Sequence, residues 1–181
     1  MKNLNGTKTE ANLLAAFAGE SQARSKYFYF AAKAKEEGYD DAARYLEETA
    51  VNEQEHAKIW YKFLGGIGAT KDNLQAAIAG EHTEASQMYP EFAKTAKEEG
   101  FKDIAAMFEK IAVIEKAHED HFKTLLGKLG SASHDHHQPN KWKCDNCGNI
   151  VAAKTPPGTC PICGNADIPW SGYKAYKRDA G

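Results

Sequence analysis

Glu53 and His56 stand three residues apart in EQEH at 53–56, and Glu115 and His118 repeat the spacing in EKAH at 115–118. Both stretches read as helix, and residues three apart on a helix share a face. Each pair therefore aims a carboxylate and an imidazole at one point, which is a metal-binding geometry. One such pair is a weak signal, because glutamate is common on helix surfaces and a solvated face explains it as well. Two pairs at matching positions of an internal repeat are a much stronger one.

The repeat is legible directly. AKEEGYDDAARYLEETAVNEQEH at 34–56 matches AKEEGFKDIAAMFEKIAVIEKAH at 96–118 with an offset of 62. Upstream, AGE at 18–20 matches AGE at 79–81 with an offset of 61, while Tyr27 and Tyr89 keep 62, so one residue is inserted between. The upstream carboxylates are Glu20 in the first half and Glu81 with Glu84 in the second. The halves are not equivalent, since Gln22 stands where the second has Glu84.

Two-metal carboxylate bundles are built from two helices carrying Glu-x-x-His and two more carrying glutamate. Glu20, Glu53, Glu81, Glu84 and Glu115 with His56 and His118 supply that set. Five negative charges against the four positive charges of two divalent ions leave about −1. Without metal, five carboxylates in a bundle core are costly, so metal binding and folding are expected to be coupled. Oxygen-rich ligands with one imidazole per metal suit iron or manganese. Tyr27 and Tyr89 fall on the ligand-bearing face, about two helical turns after Glu20 and Glu81. Hydrogen bonding to ligand carboxylates and aromatic core filling both account for them. His82, His121 and Glu55 have no matching partners and read as surface or ordinary core residues.

A second constellation follows. Cys144, Cys147, Cys160 and Cys163 form two Cys-x-x-Cys-Gly knuckles, a spacing that holds one tetrahedral ion through four thiolates. The ion is left open by the spacing: zinc would be structural, iron a one-electron carrier. Beside a two-metal bundle that needs an electron supply, iron is favoured. All four cysteines lie here and none is left over, which suits a metal site in a reducing compartment better than a disulfide framework.

Four helices must position the first set. Ala-rich, proline-free sequence from about 9 to 38 predicts the first, capped by Thr9 or Thr7. Asp40 or Asp41 is expected to cap a second, to about 64, stopped by Gly65-Gly66. A third spans about 72–99, kinked by Pro90, and a fourth about 103–129. The predicted domains are a helical domain at 1–130, a polar linker at 131–140 and a four-cysteine domain at 141–181, the last too short and turn-rich for an apolar core of its own. With 42% hydrophobic residues a helical core is feasible, and a net charge of −2 favours neither nucleic acid nor an anionic membrane as partner. No apolar run approaches the roughly 20 residues that span a bilayer, and residues 1–10 lack a signal-peptide core, so the expectation is a cytoplasmic protein.

Taken together, the AGE-bearing helix, the two Glu-x-x-His repeats and the carboxy-terminal four-cysteine module resemble the rubrerythrins, over nearly the whole chain. The resemblance implies an all-α ferritin-like four-helix bundle with a small metal-held rubredoxin-like β domain. It implies two non-haem irons in the bundle and one iron in the four-cysteine site, where zinc is possible. The implied activity is a peroxidase reducing hydrogen peroxide to water in oxidative-stress defence. Electrons would come from a reductase or rubredoxin partner through the rubredoxin-type iron. It also implies that Glu53 and Glu115 bridge the irons, that Glu20 binds one and Glu81 with His118 the other, and that Glu84 and His56 exchange on the first. A ferroxidase or iron-handling protein, or a non-enzymatic zinc-ribbon interaction protein, are the rival readings; a storage shell has no need of the cysteine module.

One departure matters. Rubrerythrins of the familiar form have a longer connection between the second and third helices, and here only residues 65 to about 71 remain. In a ferritin-like bundle these helices run parallel, so the chain must travel back along the second, roughly 36 Å. The short connector reaches about 24 Å at most. Either the bundle takes an up-down-up-down path or two chains exchange hairpins in a homodimer. Exchange is the expectation, with Glu20, Glu53 and His56 of one chain completing a site with Glu81, Glu84, Glu115 and His118 of its partner.

Overall fold

The computed structural model describes residues 3–129, 141–164, 166 and 169–172. It divides into two compact units, Met1–Gly68 and Ala69–Gly181. The predicted linker at 131–140, with His134, His136 and His137, lies outside the described residues.

The first unit is a helical hairpin, α1 (Lys8–Glu36) and α2 (Asp40–Phe63). Thr7 caps α1: its hydroxyl accepts from the Glu10 amide at 3.1 Å, while Glu10 reaches back to the Gly6 amide at 2.7 Å, so two orphan donors are satisfied together. The turn depends on Gly38, which takes φ +81°. Tyr39 and Gly38 then donate to the carbonyls of Ala34 and Lys35, closing the helix end. The expected caps of α2 are corrected: Tyr39 occupies the N-cap without a side-chain bond, and Asp40 and Asp41 lie in the first turn, where carboxylates meet the positive end of the helix dipole. Ala31, Ala43, Ala50 and Ala57 are the buried residues of this hairpin, small enough to let two helices approach closely.

The second unit repeats the hairpin and adds the four-cysteine module. The predicted third helix is α3 (Thr70–Thr83), a π-helical segment (Glu84–Met88) and α4 (Tyr89–Glu98); the fourth is α5 (Lys102–Gly127). Ala93, Ala96, Ala105 and Ile114 are buried, and Gly100, at φ +90°, makes the same turn as Gly38. A surface pair is also repeated, Lys35 with Glu47 and Lys97 with Glu109.

The π segment explains the slipped offset. The Tyr89 amide bonds to the Glu84 carbonyl, five residues back, so this turn holds one residue more than an α turn. It lies between Glu81, where the offset is 61, and Tyr89, where it is 62. Pro90 sits in the first turn of α4, where a missing amide proton costs little, so the irregularity expected at Pro90 falls just before it.

The module is a three-stranded antiparallel sheet, β1 (Lys141–Cys144), β2 (Ile150–Ala152) and β3 (Trp170–Gly172), ordered β2-β1-β3. Trp142 pairs with Val151 on one side and Gly172 on the other, and its indole N–H donates to the Ala153 carbonyl at 3.1 Å. Among the described residues, no helix is long and apolar enough to cross a membrane.

Candidate metal centres

In the first hairpin, Glu20 of α1 meets Glu53 and His56 of α2, with the three potential ligand atoms within 4.8 Å of one another. His56 Nδ1 is 2.8 Å from Glu53 Oε2. The Ala seam between the helices lets two carboxylates come this close without bulk between them.

The second hairpin makes the same triad from Glu81 of α3 and Glu115 with His118 of α5, again within 4.8 Å. His118 Nδ1 is 2.7 Å from Glu115 Oε2 and 3.4 Å from Glu81 Oε2. Oε2 of Glu81 is buried without a hydrogen-bond partner. Burial, and then the adjoining Glu115, push the Glu81 carboxyl above its usual range, against the pull of His118. An orphaned oxygen and a carboxyl resisting ionisation are what a divalent cation would relieve, so the donor set fits a hard, borderline metal.

Glu84, on the π segment, is not part of either triad. Its charge is felt at Tyr89, whose hydroxyl is held above its ordinary range by burial first and then by Glu115, Glu84 and Glu81. Tyr89 therefore keeps its proton in the field of three carboxylates. Tyr27 packs its ring 6.4 Å from that of Phe30. Glu55 pairs with Lys58 on the surface at 3.0 Å.

Two residues that sequence reasoning passed over matter here. Glu119, next to His118, is 1% exposed. Lys123 bonds to it, Lys116 lies 3.1 Å away and His82 Nδ1 3.2 Å away, so His82, expected to be unremarkable, is one of three partly exposed groups around a buried carboxylate. The available signal was the repeat itself, which sets Glu119 against Ala57. Gly148 is the other, and it packs against His118.

The four cysteine sulfurs also lie within 4.8 Å of one another, and none is in a disulfide. Cys144 Sγ is 3.8 Å from Cys163 Sγ, and Cys147 Sγ is 3.6 Å from Cys160 Sγ. Each knuckle is closed by a glycine amide, Gly148 to the Cys144 carbonyl and Gly164 to the Cys160 carbonyl, both at 2.9 Å. Burial pushes the Cys147 thiol up to about 12, while Cys160, against its own burial, is held below its ordinary value by backbone hydrogen bonds; a cation in the cage would offset the cost of ionising Cys147. Four sulfurs saturate a tetrahedral ion, whereas the carboxylate triads leave room for an exogenous ligand.

The rubrerythrin family model matches residues 11–126, and a model described as the rubredoxin-like domain of rubrerythrin matches 142–167. The chain is 46% identical over 176 residues to rubrerythrin of Porphyromonas gingivalis, covering 90% of this chain and 88% of that one. It is 44% identical over 181 residues to rubrerythrin-1 of Clostridium acetobutylicum, covering 90% and 93%. A solved chain described as a partially reduced state of nigerythrin is 29% identical, covers 94% of this chain and 89% of that one, and aligns with a TM-score of 0.44. The carboxylate–imidazole triads thus lie in the ferritin-like domain that carries a di-iron site, and the cysteine cage is the rubredoxin-like site. With matches spanning both domains, the chain belongs to the rubrerythrin family.

Proposed function

We propose that this protein is a non-haem di-iron peroxidase that reduces hydrogen peroxide to water in the cytoplasm. The observation that carries this reading is the presence in one chain of two open carboxylate–imidazole triads and one closed four-sulfur cage. Reducing one peroxide takes two electrons and two protons and yields two waters. Two ferrous ions held by the triads would supply one electron each and Lewis acidity. Glu53 and Glu115 would serve both irons, Glu20 would hold one, Glu81 with His118 the other, and Glu84 and His56 would exchange as ligands of the first. Tyr89, protonated and facing Glu81, Glu84 and Glu115, orients carboxylates by hydrogen bonding; Tyr27 is assigned the same part in the first half. The cage has no open position, so its part is to relay electrons from a separate reductase or rubredoxin.

The chain is divided, on this reading, into a di-iron domain at 1–130, a linker at 131–140 and a rubredoxin-like domain at 141–181. The active form is a homodimer that exchanges hairpins. Two features support this: each triad is complete within its own hairpin, and each hairpin leaves large apolar side chains exposed, among them Leu14, Phe30 and Val51 in the first and Phe92, Ile104 and Val113 in the second.

The test is peroxide consumption by iron-loaded protein supplied with reduced nicotinamide nucleotide and a rubredoxin reductase. Glu53→Ala and Glu115→Ala are each expected to abolish turnover. Full activity in either variant with both irons bound would overturn the assignment.

A further inference from the structure

The two triads are not equally finished. In the second, carboxylates from two helices already converge on the His118 imidazole, with Glu115 Oε2 at 2.7 Å and Glu81 Oε2 at 3.4 Å from Nδ1. In the first, Nδ1 of His56 meets Glu53 Oε2 at 2.8 Å, and among the described residues no carboxylate of α1 pairs with it. The His118 side chain is 34% exposed and that of His56 51%. Glu81 also holds a buried oxygen without a hydrogen-bond partner, an acceptor that a cation would satisfy.

A second difference lies one residue further along both helices. Glu119 follows His118 on α5, His82 follows Glu81 on α3, and Nδ1 of His82 lies 3.2 Å from Glu119 Oε1. The Glu119 side chain is almost wholly buried, so a polar contact spans α3 and α5 directly beside two triad residues. Lys116 and Lys123 are turned onto the same carboxylate, and among the described residues neither pairs with Glu115. In the first hairpin these four places are taken by Ala57, Ser21, Gln54 and Tyr61, none of them charged.

We propose that the second triad takes up a divalent ion before the first, and that Glu119 is the positioning residue that sets this order. The proposal rests on the reading that the triads hold the metal pair. Donors that are already gathered lose less freedom on binding and so bind more tightly. Glu119 contributes twice. Its contact with His82 holds α3 to α5 at the level of Glu81 and His118, and its pairing with Lys116 and Lys123 keeps their positive charge off the site. The first hairpin has no such support, and its donors gather around the ion as it arrives. Each triad lies within one hairpin, so the order is the same whether or not hairpins are exchanged.

Zinc reports the order without peroxide. In full-length protein carrying isotope-labelled histidine, the first equivalent of zinc fills the four-sulfur cage, and nitrogen NMR then follows the coordination shift of each imidazole as more is added. The His118 signal is expected to move ahead of the His56 signal, at about tenfold lower free zinc. In Glu119→Gln the His118 site is expected to weaken on the order of tenfold, bringing the two together, while His56 stays within about twofold of the parent. His56 moving first or together with His118 in the parent, or a parental gap in Glu119→Gln, would overturn the proposal. Should Glu119→Gln not fold, His82→Ser gives α3 the residue of the first hairpin and leaves the buried carboxylate in place. It is expected to narrow the gap, and a gap of parental size would again overturn the proposal. No shift at either imidazole would fault the metal reading and the proposal with it; ordered shifts in a protein that consumes no peroxide would fault the peroxidase reading alone.

Discussion

Ala57 and Glu119 hold equivalent places, each directly after its hairpin's imidazole; both are buried, at 6% and 1%, and only Glu119 is charged. A buried carboxylate is costly unless paired; Lys123 and Lys116 pair it, and His82 Nδ1 lies 3.2 Å away. Their counterparts in the first hairpin are Tyr61, Gln54 and Ser21, so the cluster exists in one half alone. The hydrogen bond from Lys123, and then Lys116, lower the Glu119 carboxyl from its ordinary 4.5 to about 2. A depressed folded-state value means stabilisation that is complete above 4.5 and lost as pH falls through 2. Urea unfolding of metal-free protein is expected to show parent stability exceeding that of Glu119→Gln by a constant amount above that window. Within it the gap should close, and a gap of unchanged size at the acid end would contradict the ion pairing.

Hairpin exchange makes a prediction that a self-contained chain does not. Glu53→Ala spoils the first hairpin and Glu115→Ala the second, so each variant alone has no intact site. Refolded together as exchanged dimers, the mixed dimer gains one site with both glutamates and one with neither. About half of the dimers are mixed and half of their sites intact, giving about a quarter of parental activity. Recovery of none, from dimers shown by mass to be mixed, would rule exchange out.

Separation of roles is open to a spectral test. Cys147→Ser or Cys163→Ser is expected to remove the red ferric four-thiolate colour and stop multiple turnover. The bundle, reduced chemically beforehand, should still react once with peroxide. Unchanged turnover in a colourless variant would count against the relay.

What the sequence could reveal of this site was whatever the duplication made periodic. The Glu-x-x-His pairs and the two glycine turns lie at an offset of 62 and the AGE segments at 61, and the triads and turns assemble from residues spaced as helical geometry requires. Glu119 escaped because the groups around it, His82 from another helix and Lys116 and Lys123 from its own, are not repeated in the first hairpin. Gly148 escaped for the opposite reason. It looks identical to Gly164, and only the approach of α5 distinguishes them. The caps of α2 were misjudged because two aspartates invite the N-cap reading, while the turn at Gly38 places Tyr39 there.

Glu84 shows what the π turn did for the duplicated chain. Adding one residue to an ordinary helix rotates everything beyond it by about 100°. Such a twist would carry Tyr89, Ala93 and Ala96 off the seam that Tyr27, Ala31 and Ala34 keep in the other hairpin. The wider turn at Glu84–Met88 absorbs the added residue where it arose, so the helix resumes in phase and the seam survives. An insertion that should have been ruinous became a local edit, and the segment that absorbs it carries Glu84 where the first half has Gln22.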